Sequence, residues 1–344
     1  MRILFVRLSS FGDVLFSLPA AKALRTILAS AHLTWAIEPP LAPLVTGAAF
    51  VDDVVSVDTR GWRRALFSRE TRQGVSDFLR KVRRGPFDLV VDTQGLLKSA
   101  VVTFAARSSG RKVGFGWRTA TERINCLVTN ERVDVDRAAR PHVLDQMLAL
   151  AEHVTGTSGF ERTPDVRHLV ERPDPAVDSW LEQYGVRPFA VLQPFSSKVS
   201  KEWSADDLVP FAAWLGSEGI RPVLRWGPGE ESRAAALLDL SQKSPSSSSS
   251  VSLPLLLAPA TSPSSSARLA ARAALFVGAD TGPTHLAAAA GTPTLALFGP
   301  TPPERFGPVG PRVAVLGESP RAYNRSGARW PAEDVRDAAR RLLS

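Results

Sequence analysis

Short apolar runs alternate with longer amphipathic stretches along this chain, and the alternation occurs twice. In the first half "RILFVR", "HLTWAIE", "DDVVSVD", "FDLVVD" and "KVGFGW" have strand length, and arginine- and alanine-rich stretches of helical spacing separate them. Strands that each feed a helix do not pair as hairpins, so the pattern predicts a parallel sheet with crossover helices. The series lapses over "ERTPDVRHLVERPDPAVDSW", whose prolines and charges read as a linker ahead of a helix containing Trp180. It resumes with "PFAVLQP", "RPVLRWG", "LPLLLAP", "ALFVGAD", "TPTLALFGP" and "RVAVLG". A chain of 344 residues holds two α/β domains of ordinary size, each with its own core. The expected division is a first domain over 1–165, a linker over 166–176, a second domain over 177–325 and a terminal helix over 326–344. Tandem parallel-sheet domains place a ligand at the carboxyl ends of their strands. The segments "SQKSPSSSSS" and "TSPSSS" are of low complexity and are expected to form solvated loops, the first over 241–252, on either side of a strand from Leu253 to Ala258. A phosphorylation tail is the other reading of the serines.

Charge narrows the partners. Lysine and arginine number 42 against 34 aspartates and glutamates, a net charge of +8, and the pI of about 10.2 suits a polyanionic partner: nucleic acid, anionic lipid or phosphorylated sugar. No interleaved aromatic and basic array favours nucleic acid. Cys126 is the single cysteine, so neither an intramolecular disulfide nor a cysteine-based zinc site is expected, and no His, Asp and Glu cluster has ligand spacing for a metal. Arg7 and Asp13 break the apolar amino terminus, which does not read as a signal peptide. No run approaches the ~18 apolar residues needed to span a bilayer, so any membrane contact is expected to be peripheral.

Two turns stand out chemically. Between the first apolar run and a helical pattern from Val14 to Leu24 lies Ser9-Ser10-Phe11-Gly12-Asp13. A dinucleotide-binding turn at that place carries G-x-G-x-x-G, whereas this one has a single glycine and a carboxylate that repels phosphate. Asp13 reads as a helix cap or as a base. At a helix amino end the dipole favours its ionised form, and a carboxyl of ordinary pKa ~3.9 is already deprotonated at neutral pH. In the second half, after the strand Leu275 to Val277, Asp280-Thr281-Gly282 makes a turn, Pro283 stands where a helix starts, and His285 to Ala290 forms it. The amino end of that helix attracts anions, Gly282 permits close approach of a diphosphate, and His285 can donate to the same phosphates. Taken singly, Asp280 reads equally as a cap and His285 as a locally satisfied side chain. Together with the glycine and proline they point to a diphosphate.

The D-T-G-x-x-H turn followed by "LFGPT", with "SSFGDVLFSLPA" at the start, resembles the ADP-heptose:lipopolysaccharide heptosyltransferases, glycosyltransferase family 9. The segments "RGWRRALFS" and "DTQGLLKSA" are similar to those of the members that add the first heptose to a Kdo sugar of lipid A. The resemblance runs over nearly the whole chain. It implies the α/β GT-B fold, two facing Rossmann-like parallel-sheet domains with the active site in the cleft between them, the first binding acceptor and the second nucleotide sugar. It further implies an inverting, metal-independent transfer of heptose from ADP-heptose to Kdo-lipid A, without a cofactor. The enzyme would be bacterial and cytoplasmic, peripheral on the anionic inner face of the membrane, and is expected to be a monomer.

On this resemblance Asp13 is the catalytic base, with Ser10 and Gly12 beside it on the acceptor side. "PFSSKVSKEW" is similar to the family's donor loop, in which hydroxyl residues precede a lysine and tryptophan, and so assigns Ser196, Ser197 and Lys201 to the donor. Lys198 competes for the lysine role; Lys201 is preferred because it directly precedes Glu202-Trp203, and its charge also serves catalysis by opposing that of the leaving diphosphate. Asp280, Thr281, Gly282 and His285 complete the donor site. "RWGPGEESR" is similar to a W-G-x-x-x-E segment whose glutamate holds the adenosine ribose, which designates Glu230, with Glu231 able to do the same. Arg60, Arg63, Arg64, Gln94 and Lys98 are assigned to the acceptor, since guanidinium forks pair with carboxylates and phosphates. A charge run is as readily a solvated face, and Trp62 among the arginines either packs or meets lipid. Where first-heptose members carry an arginine after W-x-T-A, this chain reads Trp117-Arg118-Thr119-Ala120-Thr121, leaving Arg118 or Arg123 as substitutes. The rival readings are a related GT-B transferase with another nucleotide sugar or a later core acceptor, and a non-catalytic basic nucleotide-binding protein. Asp13 in company with a full diphosphate site argues against the second.

Overall fold

The computed structural model describes residues 1–184, 188–243, 253–317 and 330–344, which leaves most of the serine-rich stretch 241–252 and the beginning of 326–344 outside the described residues. Two compact units divide the chain, Met1–His168 and Leu169–Ser344.

The first unit is a six-stranded sheet built from β1 (Arg2–Val6), β2 (His32–Ile37), β3 (Asp53–Ser56), β4 (Phe87–Asp92), β5 (Ser108–Phe115) and β6 (Glu131–Val133). Every pairing is parallel, and the order is β3-β2-β1-β4-β5-β6. Its helices are α1 (Phe11–Ile27), α2 (Thr59–Arg64), α3 (Arg69–Arg83), α4 (Leu97–Ala105) and α5 (Val143–Thr155). The residues Ile3 to Val6 of β1 and Leu89 to Val91 of β4 are fully buried, as strands covered by helices on both faces must be. Trp62, half-buried, packs on Phe78 with ring centroids 5.8 Å apart. β6 is a three-residue edge strand with no apolar run to announce it.

The short helix α6 (Arg167–Val170) carries the division into the second unit. There β7 (Phe189–Gln193), β8 (Arg221–Leu224), β9 (Leu256–Leu257), β10 (Leu275–Ala279), β11 (Thr294–Phe298) and β12 (Val313–Gly317) form a second parallel sheet in the order β12-β11-β10-β7-β8-β9. Counted from its own first strand, this order is that of the first unit. The helices are α7 (Pro175–Tyr184), α8 (Ala205–Ser217), α9 (Glu231–Lys243), α10 (Pro263–Arg272), α11 (Gly282–Ala289), α12 (Pro303–Phe306) and α13 (Ala332–Leu343). The apolar face of α13, with Val335, Ala338 and Ala339, closes the core formed by Phe211, Leu215, Leu295 and Trp330.

Two details correct the expectations from sequence. The "TSPSSS" serines are not a solvated loop: Ser262 caps α10 by accepting from the Ser265 amide at 3.2 Å, Pro263 opens the helix, and Ser264, Ser265 and Ser266 are buried in its first turn. Serine followed by proline is a helix-start signal, and here each hydroxyl finds a partner, which makes burial affordable. Ser266 Oγ accepts from Arg225 Nε at 3.0 Å and Ser265 Oγ donates to Asp174. The strand read from Leu253 to Ala258 is only the two residues of β9.

The order of each sheet reverses at one place, between β1 and β4 in the first unit and between β7 and β10 in the second. On either side of that place the chain leaves the sheet in opposite directions, which opens a crevice at the carboxyl edge. In the first unit the β4–α4 turn beside it hangs on Asp92. This fully buried carboxylate accepts from the amides of Gln94 (2.9 Å) and Gly95 (3.1 Å), from Thr103 Oγ1 (3.1 Å) and from Asn125 Nδ2 (2.7 Å). Gly95 turns with φ +65°, a conformation that favours glycine. Asp92→Ala takes the shared acceptor from four buried donors, of which Asn125 alone keeps the Leu96 carbonyl and Ser99 as partners, and urea unfolding is expected to show a loss of at least about 3 kcal/mol. A loss under about 1 kcal/mol would contradict the hub role.

Candidate active site

The turn after β1 delivers Ser10 and Asp13 to the crevice of the first unit. Ser10 is the cap residue of α1, and Asp13 reaches back to it: its Oδ2 accepts from the Ser10 amide at 3.2 Å and the Ser10 hydroxyl at 2.9 Å. The cap reading of Asp13 is therefore real, but it is not the whole environment. Arg7, buried at the end of β1, sets its Nη2 2.8 Å from the same oxygen and its Nη1 2.7 Å from the Thr93 carbonyl across the crevice. Burial pushes the Asp13 carboxyl up. The Arg7 charge and the Ser10 hydrogen bonds outweigh it and hold the group below the ordinary aspartate value.

From β4 comes the other wall. Gln94 Oε1 accepts from the Leu8 amide at 2.9 Å and Gln94 Nε2 donates to the Ser9 carbonyl at 3.4 Å, so the glutamine stitches the two turns together. Lys98 Nζ donates to Ser9 Oγ and lies 3.3 Å from Glu38 Oε1. Glu38 ends β2 with a side chain only 5 % exposed, and it also takes Thr59 Oγ1 at 2.7 Å and Arg60 Nε at 3.4 Å. Ser10, Gly12, Asp13, Gln94, Lys98 and Arg60 thus belong to one neighbourhood. Arg63 and Arg64 do not join it: they stand exposed at the end of α2, ahead of exposed Leu66 and Phe67. Arg118 is exposed and 3.7 Å from Asp134, and Arg123 is exposed too.

In the second unit the turns after β7 and β10 flank the crevice. Lys201 Nζ lies 2.6 Å from Asp280 Oδ2, and His285 Nε2 lies 3.2 Å from Asp280 Oδ1, so one carboxylate holds both donor-site candidates. Burial pushes the Asp280 carboxyl up, but hydrogen bonds and charge from His285 and Lys201 bring it down to about 2. Asp280 is not the cap of the following helix; Thr281 occupies that position, and α11 begins at Gly282, three residues earlier than the pattern from His285 suggests. A Cβ at Gly278 would lie 2.6 Å from Thr284 Oγ1, so this glycine lets α11 seat its first turn directly on β10. Ser196 is half-buried, Ser197 and Lys198 are exposed, and among the described residues Lys198 has no ion pair like that of Lys201.

Glu202 organises the β7 turn. It accepts from the Ser196 amide at 3.2 Å and from both terminal nitrogens of Arg233 at 3.0 and 2.5 Å, while the Arg233 guanidinium stacks 4.7 Å over the Phe195 ring. Glu230 Oε2 accepts from the Gly227 amide at 2.6 Å. Arg225 is buried, with no carboxylate in contact among the described residues: Gln193 Oε1 at 2.5 Å and Ser266 Oγ at 3.0 Å hold it, and burial lowers its pKa to about 10. Arg7, Glu38, Glu202, Arg225 and Arg233 were not singled out from sequence as site residues. Arg7, Glu38 and Arg225 share one available signal, a charged residue where an apolar strand run ends.

Two parallel-sheet α/β units of the same strand order, one with an ionised carboxylate at its crevice and the other with Lys201, His285 and a helix start, have the architecture of a GT-B glycosyltransferase. Residues 75–328 match the model described as glycosyltransferase family 9 (heptosyltransferase), and the chain belongs to that family. It is 30% identical over 314 residues to lipopolysaccharide heptosyltransferase 1 of Salmonella typhimurium, covering 90% of this chain and 92% of that one. With the protein of the same name from Escherichia coli K12 it shares 30% identity over 320 residues, 92% and 93% of the two chains. Among solved structures, E. coli heptosyltransferase WaaC with ADP superposes with a TM-score of 0.83 at 26% identity over 99% of this chain and 100% of that one. E. coli ADP-heptose LPS heptosyltransferase II shares the fold, with a TM-score of 0.76 at 19% identity over 100% and 98% of the chains.

Arg7 supplies the charge that, with the Ser10 hydrogen bonds, holds the Asp13 carboxyl below its ordinary value. Carbon-detected titration is expected to find the wild-type Asp13 midpoint below ~3.9, and that of Arg7→Gln higher than the wild type's. Because the native value is depressed, the pair stabilises the fold above the unfolded-state pKa and is lost as pH falls through the native one, so acid should destabilise the wild type more than Arg7→Gln. Equal midpoints in the two proteins would contradict the assignment.

Proposed function

We propose that this chain transfers L-glycero-D-manno-heptose from ADP-heptose to a Kdo residue of lipid A, with inversion, in assembly of the lipopolysaccharide inner core. We further propose that it does so as a monomer held peripherally at the cytoplasmic face of the membrane. The observation that carries this reading is the complementary chemistry of the two crevices: an ionised acid in the first unit, and Lys201, His285 and the amino end of α11 in the second. Relatives of 30% identity over about nine tenths of the chain, both named lipopolysaccharide heptosyltransferase 1, support heptosyl transfer. The structures titled with ADP and with ADP-2-deoxy-2-fluoro heptose support the donor.

In the proposed step the acceptor hydroxyl attacks the anomeric carbon on the face opposite the diphosphate. The new carbon–oxygen bond forms as the bond to the β-phosphate oxygen breaks, and its electron pair leaves with ADP. Asp13 takes the hydroxyl proton. Its lowered pKa makes it a weak base that is ionised at all working pH, so proton transfer follows acidification of the hydroxyl by bond formation. Charge gathering on the diphosphate is met by Lys201, His285, Ser196, Ser197, Thr281 and the Gly282 end of α11, with no metal in the step. Asp280 acts by aiming Lys201 and His285. Glu230 takes the ribose hydroxyls. On the other side Ser10, Gly12, Gln94 and Lys98 bound the acceptor site, where Arg60 pairs with the carboxylate of Kdo-lipid A, and Arg63 and Arg64, exposed outside that neighbourhood, meet its more distant phosphates.

Asp13→Asn preserves shape and removes the base. With ADP-heptose and Kdo-lipid A, turnover read by product mass is expected to fall by roughly two to four orders of magnitude with ADP affinity unchanged. Near wild-type turnover across pH would leave Asp13 a cap alone. On the donor side, calorimetry is expected to show Lys201→Ala weakening ADP binding by about tenfold or more, since Asp280 then faces the diphosphate without its cation, and Lys198→Ala changing it little. The reverse order would mean that the donor loop is read in the wrong register.

A further inference from the structure

Helix α4 has two faces with different business. Inward, Ser99, Ala100, Val102 and Thr103 are buried and Lys98 reaches Ser9 and Glu38. Outward, Leu97, Val101 and Phe104 recur at i, i+4 and i+7, which lines them along one stripe, and they are 51, 57 and 73 % exposed. A 3-10 turn, Arg123–Leu127, is tied to the start of the same helix: Asn125 Nδ2 donates to the Leu96 carbonyl and to Ser99 Oγ, each at 3.2 Å. That turn exposes two more large apolar side chains, Ile124 at 49 % and Leu127 at 67 %. Single apolar residues on a surface mean little, but five on two tethered segments form a patch that water does not favour.

The charges at its margins indicate what covers it. Arg107, two residues past the end of α4, and Arg123, which opens the 3-10 turn, are exposed; Arg83, also exposed, donates its Nε to the Ala105 carbonyl at 3.2 Å at the far end of the helix. Glu122, the acid next to Arg123, spends an oxygen on the Leu97 amide. Apolar side chains bounded by guanidinium groups at both ends match a bilayer interface, where the former enter the acyl boundary and the latter meet lipid phosphates.

We propose that the outer face of α4, with Ile124 and Leu127, docks the first unit on an anionic lipid bilayer. This rests on the reading that the acceptor is lipid-borne. Leu97 on the docking face and Lys98 on the acceptor side are neighbours in sequence, so seating the stripe in the headgroup layer holds the acceptor site at the level where a lipid-linked sugar emerges.

The test is sedimentation of the full chain with vesicles of phosphatidylcholine alone or with about a third phosphatidylglycerol, in the absence of any sugar substrate. Binding is expected with the anionic vesicles and to weaken with salt. Phe104→Asp and Val101→Asp should each lower the partition coefficient by about tenfold or more, and Arg107→Gln by about fivefold. Phe104→Ser, with an unaltered melting curve, serves if an aspartate variant does not fold. Transfer assays separate this proposal from the function it rests on. Phe104→Asp should keep wild-type turnover on a deacylated, soluble Kdo acceptor and lose it on the same acceptor embedded in vesicles. Folded Phe104 variants that bind vesicles like the wild type overturn the docking face while transfer persists. A wild-type dimer in sedimentation equilibrium that Phe104→Asp dissociates assigns the patch to a second copy and also overturns it. Absence of transfer by the wild type to either acceptor, with vesicle binding through α4 intact, overturns the heptosyltransferase reading instead.

Discussion

An all-parallel sheet cannot return its chain by hairpins, and that constraint governs everything else in this molecule. Each strand must be followed by a crossover, so each strand–helix turn falls on one edge, where the helix amino ends also gather. Reversal of strand order between β1 and β4, and again between β7 and β10, brings together two turns that are about eighty residues apart in sequence in each unit. Asp13, Gln94, Lys98, Lys201, Asp280 and His285 all lie on or beside those four turns. The repetition of the order in both units makes the comparison between their crevices informative: the backbone device is the same, and each carries its own charge pairs, Arg7 with Asp13 in the first and Lys201 with Asp280 in the second.

Those side chains are held in place by charge pairs in poorly solvated surroundings. A carboxylate or guanidinium loses solvation on burial and keeps its charge only where partners repay the loss. Asp13 remains ionised because Arg7 and Ser10 converge on one of its oxygens, and Asp280 because Lys201 and His285 each take one. The same logic explains why Lys98 and Arg60 stand where they do: Glu38, almost wholly buried, draws both towards the crevice of the first unit. Arg225 is the exception, a buried guanidinium satisfied by neutral Gln193 and Ser266, and its pKa falls accordingly.

Local and tertiary demands also meet in single elements. Helix α4 uses its inner face for the core and the crevice and leaves its outer stripe apolar, which a helix serving the core alone would not do. In α10 the opposite occurs, for serines that look fit only for solvent are buried because a cap, Arg225 and Asp174 need their hydroxyls. Composition alone misreads α10, since what its serines do depends on what the neighbouring elements require.

Much of the fold was legible in the sequence because the signal is local. An apolar run of strand length next to a 3.6-residue period reports its own burial, and eleven such runs correspond to strands here, while β6, with three residues at an edge, has too little buried surface to leave a pattern. The two turns of chemical interest were legible for the same reason, since Asp13 and the Asp280-to-His285 segment are short, contiguous and rich in turn residues. What tertiary structure alone decided is which distant residues stand beside them. The pairing of Arg7 with Asp13, the contact of Lys201 with Asp280, the clasp of Glu202 on Arg233 and the gathering of Lys98 and Arg60 on Glu38 all depend on strand order. Sequence fixes neither that order nor a side chain's distance from a charge dozens of residues away, because both arise only when the sheet assembles and removes the water between them.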